Sequence, residues 1–340
     1  MSAIKQTFPL ASQWQTLDPF LFCAYHKDDF PKANGAYGPA ASLAGRQIGQ
    51  DFANVNGWNM YHGDRVPGFP AHPHRGFETI TVVNRGLVDH SDSLGAAGRY
   101  GGGDTQWLTA GKGIQHSEMF PLLKEEEENP LLLFQIWLNL PAKSKMVEPH
   151  FKMLWKDQIP LVEVEDANGI STTVQVVAGE LNGQRPPSPP PASWAADENN
   201  RVLVWNIRIP AQGSFEIPAD EANLSRILYF YTGGQAVVDG QSIRQMNAAV
   251  LASEQSVTVQ AGDQPCEFML LQGRPIAEPV TQYGPFVMNT EQEIHQAFAD
   301  YRQTQFGGWP WSDSDQVHTE AANRFAKHAD GKIEERDPIV

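Results

Sequence analysis

His72-Pro-His-Arg-Gly-Phe-Glu-Thr79, running on into Ile80-Thr-Val-Val83, is answered further along the chain by His116-Ser-Glu118. Alternate residues of a strand point to one face. If both segments are strands, His72, His74, His116 and Glu118 converge on a single point. Three imidazoles and a carboxylate suit one divalent first-row transition metal. An isolated H-x-H is common by chance, and H-x-E more so. Two such pairs in the same half of the chain, both beside glycine turns, form a more specific pattern. Pro73, between the first two histidines, fits a strand end or margin. Glu78 has the parity of His72 and His74, so two arrangements stay open. Either Glu118 is the ligand and Glu78 supports it, or the roles are reversed.

Working outward, turn signals punctuate the chain at Val66-Pro-Gly68, Asn84-Arg-Gly86, Ser93-Leu-Gly95 and Gly101-Gly-Gly-Asp104. Short β-rich runs lie between them, the pattern of a sandwich or small barrel over residues 43–140. A second series follows: Val174–Val177, Arg201–Ile209, Arg226–Tyr231, Ala236–Val238, Val257–Gln260 and Glu267–Leu271, with Asp239-Gly240 a hairpin turn. Arg185-Pro-Pro-Ser-Pro-Pro-Pro191 excludes helix and central strand and reads as an extended loop. Apolar runs near residues 130–141 and 265–275 close the two series alike. The expected division is a metal-binding β domain over 1–141, a second β domain without the histidine motif over 142–283, and a helix with an extension over 284–340. The helix is marked by a Thr290/Glu293 capping box and by Ile294, Ala297, Phe298 and Tyr301 on one face, and Gly307-Gly308 stops it. The tail after Trp311 is polar and is expected at the surface, with His318 and His328 solvated.

Composition narrows the function. The 340 residues carry a net charge of −15 and no basic cluster, which argues against direct nucleic-acid binding. The 25 Pro and 29 Gly favour a turn-rich β protein. The run Leu131–Leu140 is too short to span a bilayer, so no membrane association is expected. Cys23 and Cys266 read as buried thiols of a reducing compartment, and a cytoplasmic location is the expectation.

The stretch His72–Thr79, followed by Gly103-Asp-Thr-Gln-Trp-Leu-Thr-Ala-Gly-Lys-Gly-Ile-Gln-His-Ser-Glu118, closely resembles the pirin family of the cupin superfamily. Gly284-Pro-Phe-Val-Met-Asn-Thr290 and Lys145-Met-Val-Glu-Pro149 carry the same resemblance, which covers the chain from about Val66 to Gly308. It implies an all-β fold of two cupin (jelly-roll-type) barrels with a short C-terminal helix and tail. It also implies metal ligands His72, His74, His116 and Glu118, favouring Glu118 over Glu78, and a metal-free second barrel. The Pro-rich loop at 186–191 and the tail beyond Gly308 depart from shorter pirins.

The resemblance implies one metal, iron(II) first, with copper, nickel, manganese and zinc as the other candidates. Two functions follow from it. One is oxygen-dependent cleavage of a flavonol, as in quercetin 2,3-dioxygenases, with Glu118 the catalytic base and Phe77, Trp107, Gln115 and Met119 around a small aromatic substrate. The alternative is a metal-bound regulator whose partner is a protein, either a transcription factor or a metabolic enzyme. Arg75 reads as one half of a surface salt bridge.

Overall fold

The structure, a computed structural model, describes residues 2–319, 321 and 323–338. Strands dominate, and the chain divides into two compact units: Met1–Cys23 with Leu154–Ala277, and Ala24–Met153 with Glu278–Val340. Neither unit is continuous in sequence, whereas the division expected at 141 and 283 is linear. Residues after 283 belong to the unit that carries the histidine motifs.

The first unit is built on Ile4–Pro9, Asn247–Leu251, Ser225–Thr232, Cys266–Gly273, Leu203–Ile209, Ser171–Ala178 and Leu161–Glu165, hydrogen-bonded in that order. A second sheet joins Ser214–Ile217, Val257–Ala261, Gln235–Val238 and Gln241–Arg244. Its strands alternate as a half-solvated sheet should: Val257, Val259 and Ala261 are buried while Thr258 and Gln260 are exposed. Val174, Val176, Trp205, Ile207, Phe215, Phe230 and Phe268 lie in its core. Asp239 and Gly240, both at positive φ, make the hairpin turn.

The second unit sets two sheets face to face. One runs through His150–Leu154, Thr105–Thr109, Phe77–Arg85, Asn129–Asn139 and Phe20–Phe30. The other runs Ile333–Arg336, Arg324–Lys327, Ala97–Gly101, Leu87–Asp92, Ile114–Met119 and Gly68–His74. The last sheet is buried on both sides: every residue of Ala97–Gly101 and Ile114–Met119 is buried. Its outward residues are nonetheless polar, and the C-terminal segments satisfy them. Gln115 accepts from the Tyr301 hydroxyl at 2.9 Å and donates to the Gln305 carbonyl at 2.6 Å. Asp89 accepts from the His318 amide at 2.8 Å while Arg99 grips its carboxylate with two bonds of 2.7 Å.

The helix forms over Glu291–Thr304 with both capping-box bonds made: Glu293 N–H to Thr290 Oγ1 at 3.2 Å and Thr290 N–H to Glu293 Oε2 at 2.8 Å. Ile294 and Ala297 are buried with Phe286, Met288 and Phe306. Most described residues of the tail are exposed or half-buried, as expected of a surface segment, but the tail is docked on the sheet. Arg324–Lys327 pairs with Ala97–Gly101, and His318 is half-buried on the outer face, its ring nitrogen 2.8 Å from the His90 carbonyl. A polar segment reads as solvated, but here His318 and Arg324 bond to the sheet. Arg324 Nη1 donates to both oxygens of Asp104, at 2.7 and 2.8 Å, with neither side chain more than 6% exposed. Arg324→Ala leaves that carboxylate buried without its cation. It is expected to cost about 3 kcal/mol of unfolding free energy, measured by urea denaturation.

Candidate metal centre

Strand pairing builds the site. Asp92 pairs with His116, and His116 pairs on its other side with His72. One step along, His90 pairs with Glu118, and Glu118 with Phe69. Residues directly opposite one another in antiparallel strands share a face, so both rows point into the space between the two sheets. His74 follows two residues after His72 on the same face, opposite Ile114.

The three imidazoles converge. One ring nitrogen from each of His72, His74 and His116 lies within 4.8 Å of the others. Ring centroids are 4.5 Å apart for His72 and His116, 4.8 Å for His72 and His74, and 4.9 Å for His74 and His116. His72 Nδ1 sits 2.9 Å from the Pro70 carbonyl, and His74 Nδ1 3.4 Å from that of Pro285. Those contacts direct the Nε2 atoms of both rings to the common centre. His74 Nε2 and both ring nitrogens of His116 are buried and have no hydrogen-bond partner among the described residues.

Burial pushes all three histidines below their ordinary range, His72 to about 4, and mutual repulsion adds to it at His74 and His116. Neutral imidazoles with buried, unpartnered lone pairs fit a transition metal and leave three donors aimed at one point. Among the described residues this is the group of that kind.

Glu118 stands beside this group and not within it. Its Oε2 is 3.8 Å from His116 Nε2. Thr81 donates to Oε1 at 3.1 Å, and the Gln135 amide donates to Oε2. Burial raises its pKa, against the opposing influence of His90 and those two donors. Glu78 does not share its face. Thr81 and Gln135, which pair in register and reach Glu118, mark the inward positions of their strands, and Glu78 has the other parity. It accepts from Thr109 at 2.6 Å. The parity count from His72 fails because the chain turns at Gly76, whose φ is +86°. A Cβ there would lie 2.0 Å from the Val287 carbonyl, so glycine is required.

Other expected neighbours divide. Phe77 packs on His74 with centroids 5.0 Å apart. Gln115 faces outward to the helix, as Met119 does by parity, and Trp107, paired with Ile80, lies on the far face of its sheet. Arg75 makes its ion pair with Asp300 at 2.7 Å, but its side chain is only 6% exposed and lies over the Phe306 ring, so it anchors the helix. Sequence reading missed His90, Asp92, Gln135, Trp137 and Phe69. His90-Ser-Asp92 carries the same alternation as the other pairs and was legible in principle. His90 lies 5.6 Å from the His116 ring and 3.3 Å from Asp92 Oδ2. Trp137 is 5.4 Å from the His74 ring.

Two face-to-face β-sheets holding three converging imidazoles that could hold a metal, in a chain with a second β unit, define a protein of the cupin type. The chain belongs to the pirin family: the family model described as Pirin matches residues 2–138, and that of the Pirin C-terminal cupin domain matches 204–307. A pirin-like protein of Caulobacter vibrioides is 37% identical over 244 residues, 72% of this chain and 82% of that protein. Pirin of Homo sapiens is 35% identical over 257 residues, covering 74% and 81%. Among solved structures, a quercetin 2,3-dioxygenase from Acinetobacter baumannii superposes with a TM-score of 0.70 at 25% identity, covering 91% of this chain and 99% of that one.

Beside His72 the rings of Phe69, Tyr61, Phe120 and His26 pack together, His26 lying 4.8 Å from Tyr61 and 5.7 Å from Phe69. Burial holds His26 at about 4. Between that value and the ordinary 6.5 the unfolded chain binds the proton and the folded chain does not, so His26 makes stability fall as pH drops through this window. His26→Phe is expected to flatten the pH dependence of the unfolding free energy between about 6.5 and about 4, measured by denaturation at stepped pH.

Proposed function

We propose that the chain is a metal-dependent dioxygenase that cleaves a flavonol such as quercetin, with His72, His74, His116 and Glu118 as the protein ligands of one iron(II) ion. The observation that carries the reading is the convergence of three neutral imidazoles, with a buried carboxylate 3.8 Å from one of them. Likeness to a quercetin 2,3-dioxygenase over 91% of the chain supports the substrate class. When bound, the metal supplies a Lewis-acidic centre with open positions for an oxygen donor of the substrate and for dioxygen.

The residues do the rest. The Pro70 and Pro285 carbonyls orient the His72 and His74 rings. Thr81 and Gln135 hold Glu118 where it can accept the proton of the substrate hydroxyl. Phe77 and Trp137, whose centroids are 4.1 Å apart, close the apolar side of His74 and keep water from it.

The test loads metal-free protein with iron(II), copper(II), nickel(II), manganese(II) or zinc(II) and follows quercetin absorbance together with oxygen uptake. Oxygen-dependent loss of quercetin is expected with iron, and none without oxygen. His116→Ala is expected to lose both the metal, by elemental analysis, and turnover. Glu118→Gln is expected to keep the metal on three imidazoles and lower kcat by roughly 10²–10⁴. Unchanged quercetin with every metal, on protein that holds the ion, overturns the dioxygenase reading and leaves a metal-bound regulator.

A further inference from the structure

The His72 side of the centre leads to the surface through aromatic rings. His116 is fully buried and His74 is 3% exposed, whereas His72 is half-buried, so the exposed side of the trio is that of His72. Spacing alone would set Phe69 on the opposite face from His72. The pairing with Ile114–Met119 slips between Phe69 and His72, however, and the extra residue brings Phe69 opposite Glu118 and His72 opposite His116. The Phe69 ring therefore lies beside the centre, 6.3 Å from His72.

Phe52 continues the strip outward, 6.4 Å from Phe69, 5.5 Å from Tyr61 and 5.1 Å from His62. Phe52 is 53% exposed, a cost for so large an apolar ring. Its loop is nevertheless firmly built. Arg46 binds Asp51 at 2.7 Å, the Val55 carbonyl at 2.6 Å and the Trp58 carbonyl at 2.9 Å, and stacks 3.3 Å over the Trp58 ring. Both side chains of the Arg46–Asp51 pair are 2% exposed. Asp51 also exchanges two backbone bonds with Tyr61, and the Tyr61 hydroxyl donates to Asp28 at 2.6 Å. A rigid scaffold thus holds an exposed ring next to Phe69, which itself lies next to His72.

We infer that Phe52 and Phe69 are positioning residues that select a planar substrate of two or more rings, stacking its outer rings while its oxygen donors reach the metal. The inference rests on the dioxygenase reading for the orientation of the substrate, but it concerns binding and is tested apart from turnover. Aromatic pairs prefer offset or edge contacts, and a flat polycycle presents both faces and edges to the strip. A single-ring chelator reaches the metal without touching Phe52.

The experiment titrates iron-loaded protein without oxygen, by absorbance, with quercetin and with 4-nitrocatechol as the one-ring probe. In Phe52→Ala, quercetin is expected to bind about tenfold more weakly, in line with the loss of one stacking contact, and 4-nitrocatechol and metal content to stay as in the parent. Phe52→Trp is expected to restore quercetin binding, and Phe69→Leu to weaken it. In air, the Phe52→Ala effect is expected in KM and not in kcat. Equal weakening of both probes, unchanged quercetin binding in Phe52→Ala, or no quercetin binding by the parent overturns the inference. Undiminished turnover in Phe52→Ala with unchanged KM overturns it while leaving the dioxygenase reading intact. Tight, Phe52-dependent quercetin binding without turnover does the reverse.

Discussion

The pairing register of three neighbouring strands is the constraint on which the centre depends. His116 must sit opposite both Asp92 and His72, and Glu118 opposite both His90 and Phe69. A slip of one residue in either pairing would send the whole row to the far face. Several local features hold the register. Gly68 lets the His72 strand approach closely, since a Cβ there would lie 2.5 Å from the Glu118 carbonyl. Asp92 bonds the amides of Leu94 and Ala96 and fixes the turn that follows His90. Once the rows are set, burial keeps the imidazoles neutral, which is the state in which they donate a lone pair.

The two faces of this sheet divide their tasks. The inner face carries the imidazoles, and the outer face carries Asp89, Ser91 and Gln115, whose polar groups engage the helix and the tail. Arg75 ties the loop after His74 to the same helix through Asp300, and Lys145 draws in the carbonyls of Gly76 and Val287 at 2.8 and 3.1 Å. Segments some two hundred residues beyond the histidines in sequence therefore fix the strands that bear them.

Parity reasoning anticipated the convergence of His72, His74 and His116, with Glu118 beside them, because the stretches 72–74 and 116–118 each run without a bulge. It failed for Glu78, since the turn at Gly76 breaks the count, and it could not have found Phe69, since an extra residue in the strand resets the alternation. Both are backbone irregularities that side-chain identity does not announce, although Gly76 at least hinted at one. The helix was legible because Thr290 and Glu293 cap each other locally. The docking of the tail was not: hydrogen bonds and ion pairs to residues far off in sequence fasten it to the sheet, and hydropathy is blind to partners of that kind.

Arg324–Lys327 lies along Ala97–Gly101, whose own backbone would otherwise present an open row of amides and carbonyls to a foreign strand. Ile333–Arg336 then finishes the array with Glu334, Glu335 and Arg336, charges that discourage any further addition. The added pair thus covers an edge that would otherwise stand open to pairing, so the same segments that complete the sheet also close it.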